Sequence, residues 1–153
     1  MERISERELR VTRTFRAPAR LVFDAWTKGE LFARWWTPKS FGMTIVSCEM
    51  DARTGGGYRL LITPPGGVEP MAFFGRYIEV EPPSRVVWTN DEGGEGLGPV
   101  TTVTFEQTGG ETRVVLTDLY PSKAALDEAM ATGATGGFEE TFDQLDRMLE
   151  ERA

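Results

Sequence analysis

Tyr120 and Asp118 stand two residues apart at the end of a strand-like run, and a phenol beside a carboxylate can polarise a carbonyl without a cofactor. They head a short set of acid and base candidates, because the chain has no histidine. That absence excludes every triad or dyad built on imidazole. Asp118, like Glu49, reads equally well as a solvated charge at a strand end. Glu79 and Glu81 share a strand face, but Pro82 and Pro83 follow at once and place them near an exposed edge or turn. Arg59 and Arg76 could pair with a ligand's anionic head group, or lie on the wet face of their strands. Cys48 is the one thiol; it falls within a strand and reads as a small apolar residue, with no imidazole to lower its pKa. The run GGEGLG at 93–98 breaks the G-x-G-x-x-G pattern at Pro99 and precedes a strand, so it reads as a loop and not a phosphate cradle. With one cysteine and no histidine, neither a thiolate–imidazole zinc site nor an intrachain disulfide can form, and no metal or cofactor is expected.

Charge narrows the partners further. The net charge of -7 argues against a general nucleic-acid binder. Residues 1–40 carry nine Lys/Arg against five Asp/Glu, and residues 122–153 carry three against eight. The basic arginines are dispersed, which suits a solvated face better than a phosphate or membrane patch. No apolar run reaches the ~18 residues of a membrane span, and MERISERELR lacks the apolar core of a signal peptide. The expectation is a cytoplasmic protein. At 153 residues, with no linker-like break and no repeat, it is expected to form a single domain over 1–153.

These residues must be positioned by elements legible from periodicity. Leu9, Val11 and Phe15 alternate on one strand face, interrupted by Arg13. Pro18 opens a helix with Leu21, Val22, Ala25 and Trp26 on one face, and ELFARWW (30–36) predicts a second short helix closed by Pro38. Six strands follow between Met43 and Leu119: MTIVSCEM, GYRLLIT, PMAFFGRYIEV, RVVWTND, VTTVTFEQ and TRVVLTDL. SKAALDEAM predicts a turn or two of helix. FEETFDQLDRMLEER then places Phe138, Phe142, Leu145 and Leu149 on one helical stripe. The predicted class is α+β, in the order β-α-α-β6-α. The long C-terminal helix must bury its stripe on a curved antiparallel sheet of seven strands, and a strongly twisted sheet tends to leave space beneath it.

The order of these elements carries a resemblance, together with several motifs. They are Ala17-Pro18 before FDAWT, ARWW-x-P at 33–38, the turn from Asp51 to Gly56 followed by Tyr58, and Phe74-Gly75-Arg76-Tyr77 leading to Glu79–Arg85. Val86-Val87-Trp88-Thr89 and GGFEETFDQLDRML complete the set. Over roughly residues 8–150 the chain resembles the SRPBCC superfamily of START-like, helix-grip proteins, and within it the activator of heat-shock-protein ATPase homologue-like family. Members often carry Gly-Trp where this chain has Gly137-Phe138, which keeps the bulk and removes an indole N–H. The resemblance implies a cavity between the sheet and the C-terminal helix. Its implied occupant is an apolar or amphipathic small molecule, or in some branches cyclase or hydrolase chemistry. The eukaryotic activators stimulate a chaperone ATPase through a longer chain, so a chaperone contact is a further implied partner.

With that fold, the residues expected to line the cavity are Trp36, Phe41, Met43, Tyr58, Met71, Phe73, Trp88, Phe138 and Phe142. Only alternate residues of a strand face inward, so Phe73 and Phe74 cannot both line the cavity; Phe73 is taken, and parity does not decide between them. Trp35 and Met130 are weaker candidates. The leading expectation is a ligand-binding protein without a catalytic residue. The alternatives are a cofactor-free cyclase, dehydratase or hydrolase, and a chaperone-interacting module.

Overall fold

Every period-2 segment of the sequence forms a strand, and all of them join one antiparallel sheet. In the computed structural model, which describes residues 1–67, 69–133 and 136–152, the strands are β1 (Glu2–Arg3), β2 (Glu8–Phe15), β3 (Thr44–Met50), β4 (Gly57–Thr63), β5 (Met71–Glu81), β6 (Arg85–Thr89), β7 (Val100–Thr108) and β8 (Glu111–Leu119). The sheet order is β1-β2-β8-β7-β6-β5-β4-β3. Seven strands were expected and eight are present. The extra one is two residues long and pairs Glu2 with Arg10 and Arg3 with Leu9, too short to show any alternation.

The helices are α1 (Ala19–Thr27), α2 (Gly29–Phe32), α3 (Lys123–Ala131) and α4 (Phe138–Arg152), with a 3-10 turn at Lys39–Phe41. The α1 start has no side-chain cap from Pro18. Gln107, at the far end of β7, supplies it by accepting from Ala19 N–H at 2.8 Å. The second helix is shorter than expected, ending at Phe32 and continuing through Trp36 only as turns. Ser122 caps α3 through the Ala125 N–H. An Arg3–Asp127 ion pair at 2.7 Å ties α3 to β1.

Parity explains the core. Leu9, Val11 and Phe15 of β2 are buried, as are Val103 and Phe105 of β7 and Val114 and Leu116 of β8. Arg13 has the same inward parity. It does not interrupt the core so much as clamp the long helix, because its Nη2 lies 2.6 Å from Asp143 and 3.7 Å from Asp146 on α4. A half-exposed pair of this kind contributes about 0.5–1 kcal/mol. Its main effect is positional. It holds α4 over the β2 end of the sheet, where Phe142, Leu145, Met148 and Leu149 are buried. The concave surface of β4, β5 and β6 lies beyond the reach of that stripe. Space is left there, closed by α1, α2, residues 36–43 and the first turn of α4.

Candidate functional site

That space is a cavity of about 380 Å³. Its floor is Tyr58, Leu60 and Ile62 of β4, Phe73 and Tyr77 of β5, and Trp88 of β6, all of inward parity. Trp26 and Phe32 form the back wall from α1 and α2, with Met43 and Met50 beside them. The rim is Trp36, Thr37, Pro38, Phe41, Gly136, Gly137, Phe138 and Thr141 on one side, and Asn90 and Glu92 on the other. The wall therefore holds nine aromatic rings and one charged side chain, Glu92.

Seven of the nine expected lining residues are brought together here: Trp36, Phe41, Met43, Tyr58, Phe73, Trp88 and Phe138. Two are placed elsewhere. Met71 has the parity of Phe73 but opens its strand beyond the cavity edge, and it is 53% exposed. Phe142 lies one turn deeper on α4 and is fully buried against Phe15, Trp26 and Trp35. Phe73 faces the cavity, whereas Phe74 is exposed on the convex side. Trp35 is core, its indole N–H given to Ala25 O at 2.9 Å, and Met130 is exposed. Trp26, Phe32, Met50, Leu60, Ile62, Tyr77, Asn90 and Glu92 were not anticipated as lining. Leu60, Ile62 and Tyr77 share the parity of Tyr58 and Phe73, so that signal was present. Asn90 has the parity of Trp88 within RVVWTND but lies one residue past the end of β6, and Glu92 comes from an irregular loop with no period to read.

The rim is held by the first turns of α4. Gln144 donates from Nε2 to Trp35 O and Thr37 O, both at 2.9 Å, and accepts from Lys39 N–H at 2.8 Å. Glu140 accepts from Ser40 N–H at 2.9 Å and from the Ser40 hydroxyl. Thr141 donates to Trp36 O. The backbone of residues 35–40 is thus strapped to α4 by side chains that an apolar stripe does not include. Gly137 lies beneath this strap with φ of +93°, and a Cβ there would meet Pro38 at 2.9 Å and Phe41 at 3.1 Å.

A chain of polar groups runs from the cavity floor into the sheet. The Tyr58 hydroxyl donates to Thr89 O at 2.7 Å and lies 3.3 Å from Asn90 Oδ1. Asn90 Nδ2 donates to Pro99 O and to Thr101 Oγ1, and Thr101 donates to Asp118 Oδ1 at 2.5 Å. Burial drives the Tyr58 and Tyr77 phenols above their ordinary range and also raises the Glu92 carboxyl. The wall thus presents protonated phenols at neutral pH, not phenolate bases.

The acid and base candidates lie apart from the cavity. Asp118 faces inward but is separated from it by Thr101 and Asn90, and neither Asp118 nor Tyr120 lines the wall. Burial, and the neighbouring Asp118 charge, push the Tyr120 phenol up to about 12. Arg76 points outward to Glu95 and Asp91, and Arg59 is exposed on the convex face, so neither serves as an anion receptor in the cavity. Glu79 pairs with Arg85 at 2.8 Å beside the exposed turn. Cys48 is half-buried and packed against the core, its thiol pushed up to about 11 by burial. Among the described residues no group of His, Cys, Asp and Glu is placed to hold a metal, and no helix is long and apolar enough to cross a membrane.

Asp118 makes a testable contribution to stability. Burial pushes its carboxyl up to about 6 from 3.8, only partly opposed by the Thr101 hydrogen bond. Between those values the unfolded chain gives up its proton while the folded one keeps it. Stability is therefore present below pH 4 and lost as pH rises to 6, by at most about 3 kcal/mol. Asp118→Asn retains an oxygen for Thr101 and cannot ionise. It is expected to exceed the parent by about 1–3 kcal/mol in urea unfolding at pH 8, with the difference closing near pH 4. A variant less stable than the parent at pH 8 contradicts this account.

The comparisons with known proteins agree with this architecture. The family described as Activator of Hsp90 ATPase homolog 1-like protein matches residues 16–150. The chain belongs to this family. No curated protein is a significant match. A crystal structure of a Rhodobacter sphaeroides protein of the same fold superposes with a TM-score of 0.85 at 25% identity, covering 96% of this chain and 94% of that one. A Staphylococcus epidermidis protein gives 0.81 at 27% identity, with 99% and 94% covered. An AHSA1-like protein from Aeromonas hydrophila gives 0.71 at 20% identity, covering 94% of each chain, a likeness of fold alone. The expected helix-grip architecture of the activator-like family is thus present, with its long helix against the curved sheet.

Proposed function

We propose that this protein binds an apolar or amphipathic small molecule in the cavity between β4–β6 and the helices, acting as a single domain in the cytoplasm. The observation that carries this reading is the cavity wall, with nine aromatic rings, Met43 and Met50 around about 380 Å³ and Glu92 as its one charge. That volume falls in the range of small-molecule sites, and such a wall favours apolar surface over water. Trp36, Phe41, Met43, Tyr58, Phe73, Trp88 and Phe138 are the proposed contacts. The methionines and the partly exposed Phe41 rim supply adaptable walls.

Native mass spectrometry of the purified protein, with solvent extraction of what it retains, tests this reading. The expected result is a retained small molecule, or a rise in melting temperature with at least one member of a lipid and aromatic library. A protein that retains nothing and shifts with no member of that library refutes it.

A further inference from the structure

We propose that the ligand of this cavity is an organic cation, an apolar or aromatic frame carrying a protonated amine, with the frame over β4–β6 and the ammonium held at the rim by the Glu92 carboxylate. This rests on the cavity-binding reading and narrows its chemical class. Among the described residues the one formal charge on the wall is negative: Glu92, with no lysine or arginine beside it. Arg76, from the neighbouring β5, is given to Asp91 at 3.8 Å and Glu95 at 3.2 Å, and among the described residues Glu92 has no cationic partner within 4 Å. Partial burial raises its carboxyl, opposed by the backbone N–H groups of Glu92 and Phe74. After burial, Glu92 is also the strongest influence on the Tyr58 phenol of the cavity floor. A carboxylate that has shed water and gained no counter-charge is stabilised when a ligand brings one.

The neutral groups on this side of the cavity favour the same ligand. Tyr58 gives its proton to Thr89 O at 2.7 Å, and Asn90 gives its amide hydrogens to Pro99 O and Thr101. That leaves oxygen lone pairs on Tyr58 Oη and Asn90 Oδ1, 3.3 Å apart, as acceptors for an N–H donor. The Trp36 and Trp88 indoles and the Tyr77 hydroxyl are donors of the same wall, but neutral ones. They can meet a water or a ligand oxygen and cannot balance the charge of an anion. The nine rings add π faces that attract a cation and repel an anion. A carboxylate or phosphate would therefore meet like charge at the rim and no counter-charge inside. The ammonium need not be buried whole. Asn90 and Glu92 stand at the rim while Leu60 and Ile62 lie on the floor, so the frame enters and the charged end stays near water.

The experiment uses three probes of one frame: 2-naphthylmethylammonium, its neutral near-isostere 2-ethylnaphthalene, and 2-naphthoate. Dissociation constants are measured near neutral pH and at physiological ionic strength on the parent, on Glu92→Gln and on Glu111→Gln. Glu111 is exposed at the β7–β8 turn, away from the cavity wall, so its variant removes the same charge elsewhere. The Trp36 and Trp88 indole resonances of the parent, followed by NMR, report entry into the cavity. The ammonium is expected to bind at least about 5-fold more tightly than either other probe. Its advantage over 2-ethylnaphthalene should fall about 5- to 10-fold in Glu92→Gln and persist in Glu111→Gln. If the probes enter the cavity but the ammonium holds no advantage, or keeps it in Glu92→Gln, the cation assignment is overturned while cavity binding stands. An advantage lost equally in Glu111→Gln belongs to the overall charge of the chain and overturns the assignment too. If no probe binds, or binding leaves both indole resonances unmoved, the cavity-binding reading falls and takes this proposal with it. Should Glu92→Gln fail to fold, the order of the three probes on the parent decides alone.

Discussion

Gly75→Ala is expected to cost the fold about 3–5 kcal/mol, read as a lowered midpoint in denaturant unfolding. Gly75 lies on the inward face of β5, opposite Tyr58 of β4. A Cβ there would stand 2.0 Å from Thr89 O and 2.9 Å from the Tyr58 ring. The first of these is backbone and cannot swing aside as a flexible side-chain tip would. The missing side chain is what lets the Thr89 carbonyl approach β5 and receive the Tyr58 hydroxyl at 2.7 Å. Alanine therefore forces β5 and β6 apart, breaks the Tyr58 bond and disturbs the cavity floor at the same point. Steric overlap of this kind exceeds the ordinary ~1 kcal/mol gain from exchanging glycine for alanine in a strand. An alanine variant as stable as the parent would mean that the close approach does not exist in solution.

Gln144→Leu should lower stability by about 3 kcal/mol, although leucine has nearly the volume of glutamine and is a better helix former. Gln144 is 6% exposed and faces the backbone of residues 35–39, not the apolar core alone. Its amide satisfies Trp35 O, Thr37 O and Lys39 N–H, and leucine leaves all three without that partner. At roughly 1 kcal/mol for each, the loss outweighs the gain in apolar burial. The rim should loosen as well, because the same backbone carries Trp36, Pro38 and Phe41. Faster amide hydrogen exchange at Lys39, relative to β7 and β8, would report this separately from global stability. A variant within 1 kcal/mol of the parent with unchanged exchange would show that the strap is dispensable.

How far the sequence spoke for itself depended on periodicity. Strand parity required Phe73 and Phe74 to face opposite ways, because alternation along a strand is a local property, but which of them meets the cavity was decided by the curvature of the sheet. The limits of the same reasoning appear at Met71. Parity names a face, but only the ends of the sheet decide whether that face is covered. Phe142 shows the corresponding limit for helices. The apolar stripe of α4 was legible, yet which of its residues meet the core and which the cavity depends on where the helix sits across the sheet. Arg13 belongs to that placement, pairing with Asp143 and Asp146 some 130 residues on in the chain. Gln144 and Thr141 were invisible to a hydrophobic pattern, because a polar residue on a buried face announces itself only through the backbone groups it satisfies.

The absence of histidine, the single thiol, the acidic balance and the order of strands and helices are all properties of the sequence alone. They excluded imidazole chemistry, a thiolate–imidazole zinc centre and an intrachain disulfide before any fold was known, since composition sets which groups exist. Tertiary structure decided where those groups meet. It separated Asp118 and Tyr120 from the cavity, turned Arg59 and Arg76 to solvent, and left Trp26 Nε1–H unpaired among the described residues. Each of these outcomes depends on contacts between residues distant in sequence, which form only when the sheet curves and α4 settles over one end of it.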